Sequence, residues 1–219
     1  MRKLILLACI VVFSFAANYR AVPMQKATIL QTGKAKKFCT VCGMTLPMFY
    51  KTNHVAKVND ETHQYCSIHC MHEEAMKKGL HVKNSKVVDN NTLKFISTAD
   101  AFYVVGSKKP ATMATVSKYA FGTKKMALAF AKKFGGKVMS YAQVSKEVEE
   151  NLSKDIAMIQ KRQAKAAKKG KQIYNKICKK TDKRFENPAL AKAYLKQNKL
   201  CGKLKGKPFQ QVGLYLSIK

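Results

Sequence analysis

The chain has 219 residues and carries 42 Lys and Arg against 12 Asp and Glu, a formal net charge of +30. Such a charge ordinarily points to nucleic acid. Here the excess is almost all Lys spread along the chain, with no helix-turn-helix and no aromatic-flanked RNA motif, so a nucleic-acid partner is excluded; a solvated Lys-rich face, an anionic membrane surface or an acidic partner protein remains. The length suits one ordinary domain plus an appendage, with a core able to fold without disulfides.

Met1-Arg2-Lys3, an apolar run from Leu4 to Ala17 and polar Asn18-Tyr19-Arg20 follow one another in the order of a secretory signal peptide. The run falls short of the roughly 20 residues a membrane-spanning helix needs, so residues 1–17 are expected to be removed and the mature chain exported. Leu6-Leu7-Ala8-Cys9 resembles a lipobox, but the apolar run continues past Cys9, which favours a cysteine inside a discarded leader.

Residues 18–37 are polar and basic without a clear period and read as a linker. From Phe38 to about Gln143 short strands alternate with helices. Val55-Ala56-Lys57-Val58 alternates as a strand should, Cys66 to Lys78 reads as a helix ended by Gly79, and Lys86 to Asp89 and Lys94 to Val105 read as strands. Tyr119 to Gly122 comes next, followed by a helix from Thr123 to Phe134 stopped by Gly135-Gly136 and a strand from Lys137 to Tyr141. Strand, helix and strand thus occur twice, which predicts an α+β fold of two small strand-helix-strand halves.

Beyond Gln143, Val144, Val148, Leu152, Ile156 and Ile159 recur at helical spacing and must bury one face. Asn187-Pro188 reads as an N-cap with a first-turn proline, and Pro208 opens a last helix through Val212 and Leu216. A boundary near residue 150 separates a domain at 38–149 from a small all-helical unit at 150–219.

Of seven cysteines, Cys9 lies in the leader; Cys39, Cys42, Cys66, Cys70, Cys178 and Cys201 remain. An even number in an exported chain permits three disulfides, but the spacing of the first four favours a metal. Cys39-Thr40-Val41-Cys42-Gly43 is a knuckle turn in which two thiolates converge. Cys66 and Cys70, four apart, share one face of a helix and sit about 6 Å apart along its axis. A knuckle opposite a helix terminus is the treble-clef construction, and the positive end of the helix favours thiolate.

A Cys39–Cys42 disulfide and a closed structural Zn(II) site are the alternatives. Met44, Met48 and Met71 lie near the cysteines in sequence; thioethers suit Cu(I) and are poor zinc ligands. Among the nearby histidines, His69 beside Cys70 is the best candidate to complete the set. Acidic residues near the cysteines are limited to Asp60, Glu61, Glu73 and Glu74, and no Ser-His-Asp or paired-carboxylate constellation stands out. The expectation is a binding protein and not an enzyme, an organomercurial-lyase-like activity being the weakest of the readings.

Cys39-x-x-Cys42-Gly43-Met44, Tyr65-Cys66-Ser67, Phe102 to Ser107, and the stretch from Ala120-Phe121 to Gly136-Lys137-Val138 resemble NosL, the accessory protein of nitrous-oxide reductase maturation. The resemblance covers about residues 38–143. It implies a periplasmic Cu(I) metallochaperone that supplies a copper-accepting apo-reductase or its maturation complex. Residue by residue it places Cys42, Met44 and Cys66 at the family's sulfur positions. Met113 falls where the family often has a Gly-Pro-Met turn, although the turn here reads Ala111-Thr112-Met113. Cys70 goes beyond the family pattern, and the lipoprotein cysteine of many members is not matched.

Gly170 to Cys178 and Gln210 to Leu216 resemble the opening and closing segments of a small c-type cytochrome, with Thr181 and Asp182 where the second haem cysteine and the histidine would stand. That resemblance implies a degenerate unit without haem, in which Cys178 and Cys201 form a disulfide in place of the lost cofactor.

Overall fold

The protein is described by a computed structural model over residues 18–219, apart from Lys83 and Met113. The expected leader at 1–17 lies outside the described residues.

β1 (His54–Val58) and β2 (Glu61–Tyr65) form an antiparallel hairpin. Its turn is Asn59-Asp60, both at positive φ (48° and 64°), which these two residue types tolerate and which matches the twist of a two-residue hairpin loop. β3 (Lys86–Val88) pairs with β1, and β4 (Phe95–Ser97) with β3, giving the order β2-β1-β3-β4. α1 (Ile68–Lys78) lies between β2 and β3 in the chain. A second antiparallel sheet has the order β6-β5-β7, from β5 (Phe102–Val105), β6 (Lys118–Phe121) and β7 (Lys137–Ser140), with α2 (Lys124–Phe134) before its last strand. An isolated parallel bridge, Asp89 to Ala120, joins the two sheets. The expected α+β fold of two small halves is the one observed.

Two expectations need correction. The single strand expected over Lys94–Val105 is two strands in different sheets. The Ala101 N–H bonds back to the Thr98 carbonyl at 3.2 Å, and this turn carries the chain from β4, paired with β3, to β5, paired with β6 and β7. Residues 18–37, expected as a linker, pack on the domain. Val22 shares a cluster with Tyr50 and Val88. The buried Gln31 side chain accepts from the Gln64 N–H at 2.7 Å and donates to the Phe38 carbonyl at 2.7 Å. Polar composition misled because these side chains satisfy backbone groups.

α3 (Tyr141–Ile177) begins at a capping box of Ser140 and Gln143. Its buried stripe contains Val144, Val148, Leu152, Ile156 and Ile159 as expected, and continues to Ala167, Gly170 and Tyr174. The helix is continuous through residue 150, so the division at 149/150 falls inside it. Val144 to Ile156 join the core that holds the first four cysteines. Tyr174 packs with α4 (Pro188–Gln197) and α5 (Gly206–Leu216) in a second core around Ala191, Leu195, Val212 and Leu216. Asn187 caps α4 by accepting from the Leu190 N–H at 3.0 Å, and α5 begins at Gly206, so Pro208 sits in its first turn. Cys178 and Cys201 form a disulfide that ties the end of α3 to the α4–α5 turn. Among the described residues no helix is long and apolar enough to cross a membrane.

Candidate metal centre

The Cys39–Cys42 knuckle is closed by its own backbone. The Gly43 N–H bonds to the Cys39 carbonyl at 2.9 Å and the Cys39 N–H to the Met44 carbonyl at 2.8 Å, while Phe38 bridges Thr45. Gly43 takes φ +69°, a conformation that costs a side-chain-bearing residue about 1–2 kcal/mol.

The second pair is built differently from the sequence expectation. Cys66 is not in the helix. It follows the last residue of β2 and precedes Ser67, the N-cap of α1, whose hydroxyl accepts from the Cys70 N–H at 3.4 Å. Cys70 alone lies in the first helical turn. The strand end and the helix start therefore bring the two sulfurs to 3.7 Å, nearer than two thiols one turn apart. The Thr52 hydroxyl pins this corner by donating to the Cys66 carbonyl at 2.8 Å.

The knuckle meets this corner with the Cys42 and Cys66 sulfurs 3.4 Å apart, and all four sulfurs lie within 4.8 Å of one another. All four cysteines are free thiols with exposures between 0 and 2%. An S4 tetrahedron with metal–sulfur bonds of about 2.3 Å has edges of about 3.8 Å, so the cluster is already close to the size of a metal site.

Burial raises the cost of charging Cys39. Hydrogen bonds from Cys42, Cys66 and Cys70 outweigh that cost and hold its thiol well below the ordinary value. Cys66 and Cys70 move well above it, chiefly because their S–H groups donate to Cys39 and Cys42. A metal that binds such a cluster displaces the protons its thiols still carry.

Met71 is 1% exposed and Met44 partly buried, both in the core cluster that contains the four cysteines. Met48 is half-exposed. His69 is buried, with carboxylates of α1 and α3 near its two ring nitrogens. Nδ1 lies 3.7 Å from Asp155 and Nε2 3.7 Å from Glu73, with no hydrogen bond to either nitrogen. It is not part of the group of potential ligands formed by the four cysteines. Met113 lies outside the described residues.

Sequence reasoning missed two contributors. The buried Lys192 of α4 places its Nζ 2.6 Å from the Gly43 carbonyl, and Gln210 of α5 donates to the Cys42 carbonyl at 2.7 Å. A lysine between Ala191 and Ala193 gives no sequence signal of burial. His63 and Glu74 also pair at 2.9 Å beside the knuckle; Glu74 is held down to about 2 because hydrogen bonds from His63, Lys78 and Tyr65 outweigh its burial.

Two small antiparallel sheets joined around a buried cluster of four reduced cysteines define an α+β protein with a group of side chains that could hold a metal ion. The sequence matches the NosL family over residues 31–149, and the chain belongs to that family, which is one of chaperones and not of enzymes. Among solved structures it is similar to one described as the copper chaperone NosL from Shewanella denitrificans, at 24% identity and a TM-score of 0.41, covering 55% of this chain and 96% of that one. No curated protein matches the chain significantly. The match to the family ends before most of α3, and the likeness of the C-terminal segment to a c-type cytochrome finds no support.

Proposed function

We propose that the chain is a periplasmic metallochaperone that carries one Cu(I) on the Cys39, Cys42, Cys66 and Cys70 cluster and passes it to a copper-accepting partner, an apo-nitrous-oxide reductase or its maturation complex. The observation that carries this reading is a buried group of four free sulfurs within 4.8 Å of one another in a member of the NosL family. Cu(I) accepts two or three soft ligands in a loose geometry, so four available thiols leave at least one replaceable, as transfer requires. Met44 and Met71 border the same core and add soft donors for the exchange. The signal-peptide order of residues 1–17 and the usual periplasmic location of the family support the compartment. The Lys-rich surface suits an anionic membrane or an acidic partner.

A structural Zn(II) module is the second reading, favoured by one observation. Sulfur separations of 3.4 and 3.7 Å are near the edge of a closed zinc tetrahedron. Competition of a Cu(I) chelator and a zinc dye on one reduced sample separates the two. The chaperone reading expects preferential retention of one Cu(I), lost in Cys42→Ser and Cys66→Ser and weakened without unfolding in Met44→Leu. Preferential zinc binding, with the domain unfolding on zinc removal, would establish the structural module instead.

A further inference from the structure

α4 and α5 lie outside the segment matched to the NosL family, yet they roof the knuckle. Pro188 packs so tightly on Gly43 that a Cβ there would stand 2.7 Å from the Pro188 Cβ and 2.9 Å from its carbonyl carbon. The Cys42 and Gly43 carbonyls accept hydrogen bonds from Gln210 and Lys192. Lys192 is 1% exposed, and its Nζ faces three acceptors: the Gly43 carbonyl at 2.6 Å, Gln210 Oε1 at 2.7 Å and Thr45 Oγ1 at 3.4 Å.

An ammonium has three donors and no acceptor, so three acceptors are the complement of the charged form. The Phe38 ring, 4.2 Å away, and the Phe209 ring, 5.3 Å away, add their negative faces. Gly213 sits where the lysine stem crosses α5, since a Cβ there would meet Lys192 Cγ at 2.5 Å. The far end of the roof is fixed to α3 by the Cys178–Cys201 disulfide. A buried ammonium is costly unless a negative group needs it. Burial lowers the Lys192 pKa to about 7, and charge on Cys42 and Cys39 raises it, so thiolates in the cluster favour the ammonium.

We propose that α4 and α5 form an intramolecular clamp on the Cys39–Thr45 knuckle, in which Lys192 is a positioning residue and the internal counter-charge for the loaded thiolate site. Lys192 and Gln210 hold the Cys39/Cys42 pair against the Cys66/Cys70 corner, and lifting the clamp frees the knuckle half of the site for ligand exchange. The effect on metal retention rests on the Cu(I) reading above; the clamp rests on the hydrogen bonds and packing alone.

The test compares Lys192→Met and Gln210→Ala with the wild type in the full mature chain. Amide hydrogen exchange over residues 38–45 in the reduced, metal-free protein reads the clamp. It is expected to rise about tenfold in both variants, with the β5–β7 sheet unchanged. Transfer of bound Cu(I) to an excess of Cu(I) chelator reads the counter-charge, and loss from Lys192→Met is expected to be about tenfold faster than from Gln210→Ala. Unchanged exchange over 38–45 in both variants overturns the clamp. Cu(I) loss no faster from Lys192→Met than from Gln210→Ala overturns the counter-charge role. A wild type that takes up no Cu(I) refutes the metal reading and the counter-charge with it, while the exchange measurement still decides the clamp.

Discussion

Gly43→Ala carries two separable penalties, and Gly79→Ala provides the control for one of them. Gly79 ends α1 at φ +63° with nothing within 4 Å of a would-be Cβ, so alanine there meets only the strain of the left-handed conformation, about 1–2 kcal/mol. Gly43 has nearly the same φ, +69°, but its Cβ would enter the α4 terminus at 2.7 Å from Pro188. Overpacking of this kind adds about 1–3 kcal/mol. Gly43→Ala is therefore expected to destabilise by about 2–5 kcal/mol, and the excess over Gly79→Ala measures the contact between the knuckle and the helical roof. Urea unfolding of the reduced, metal-free proteins, followed by far-UV circular dichroism, gives both values without a contribution from bound metal. Equal losses for the two variants would refute the packing of α4 on the knuckle.

Cys178→Ser opens a cross-link between residues 23 apart and should cost about 3 kcal/mol, read as a lower urea midpoint for the helical unit; a midpoint equal to that of wild type under oxidising conditions would contradict it. His54 is buried between the Thr52 carbonyl and the Tyr103 hydroxyl, and burial lowers its pKa to about 3. The unfolded chain binds this proton below about pH 6.5 and the native one does not until about 3, so its contribution to stability is present above pH 6.5 and declines by about 1.4 kcal/mol per pH unit in between. His54→Gln should flatten the stability–pH curve between pH 6 and 4, and an unchanged slope would show that the native state charges this ring. Gly170→Ala would gain about 1 kcal/mol in an exposed helix, but here its Cβ runs into the Gln211 carbonyl of α5; net destabilisation in thermal melts is expected, and a higher melting temperature would show that α3 and α5 are not in contact at this point.

The parts of the fold set by local chemistry were legible. Gly79 and Gly135 stop α1 and α2, the Val144 to Ile159 stripe marks α3, and Asn187-Pro188 starts α4. The four cysteines were legible as a cluster because two short spacings, C-x-x-C and C-x-x-x-C, each bring two thiols together. What could not be read depended on partners distant in sequence. Cys66 alone does not reveal that it lies between a strand and the helix, since Ser67 rather than Cys66 caps the helix, and this placement outside the helix sets the sulfur separation. The burial of Gln31 depends on Gln64, and that of Lys192 on Gly43, separated from it by 149 positions. The boundary expected near residue 150 falls inside the continuous α3 because one apolar stripe serves two cores, turning from the cysteine cluster at Val144 to Tyr174 against α4 and α5.

X-ray absorption at the copper edge on the full mature chain loaded with one equivalent of Cu(I) tests the central claim most directly. A first shell of sulfur alone is predicted, with copper no longer retained after Cys42→Ser or Cys66→Ser. A shell dominated by nitrogen or oxygen, or one unaltered by either substitution, would contradict the assignment of the four-cysteine cluster as the copper-carrying site.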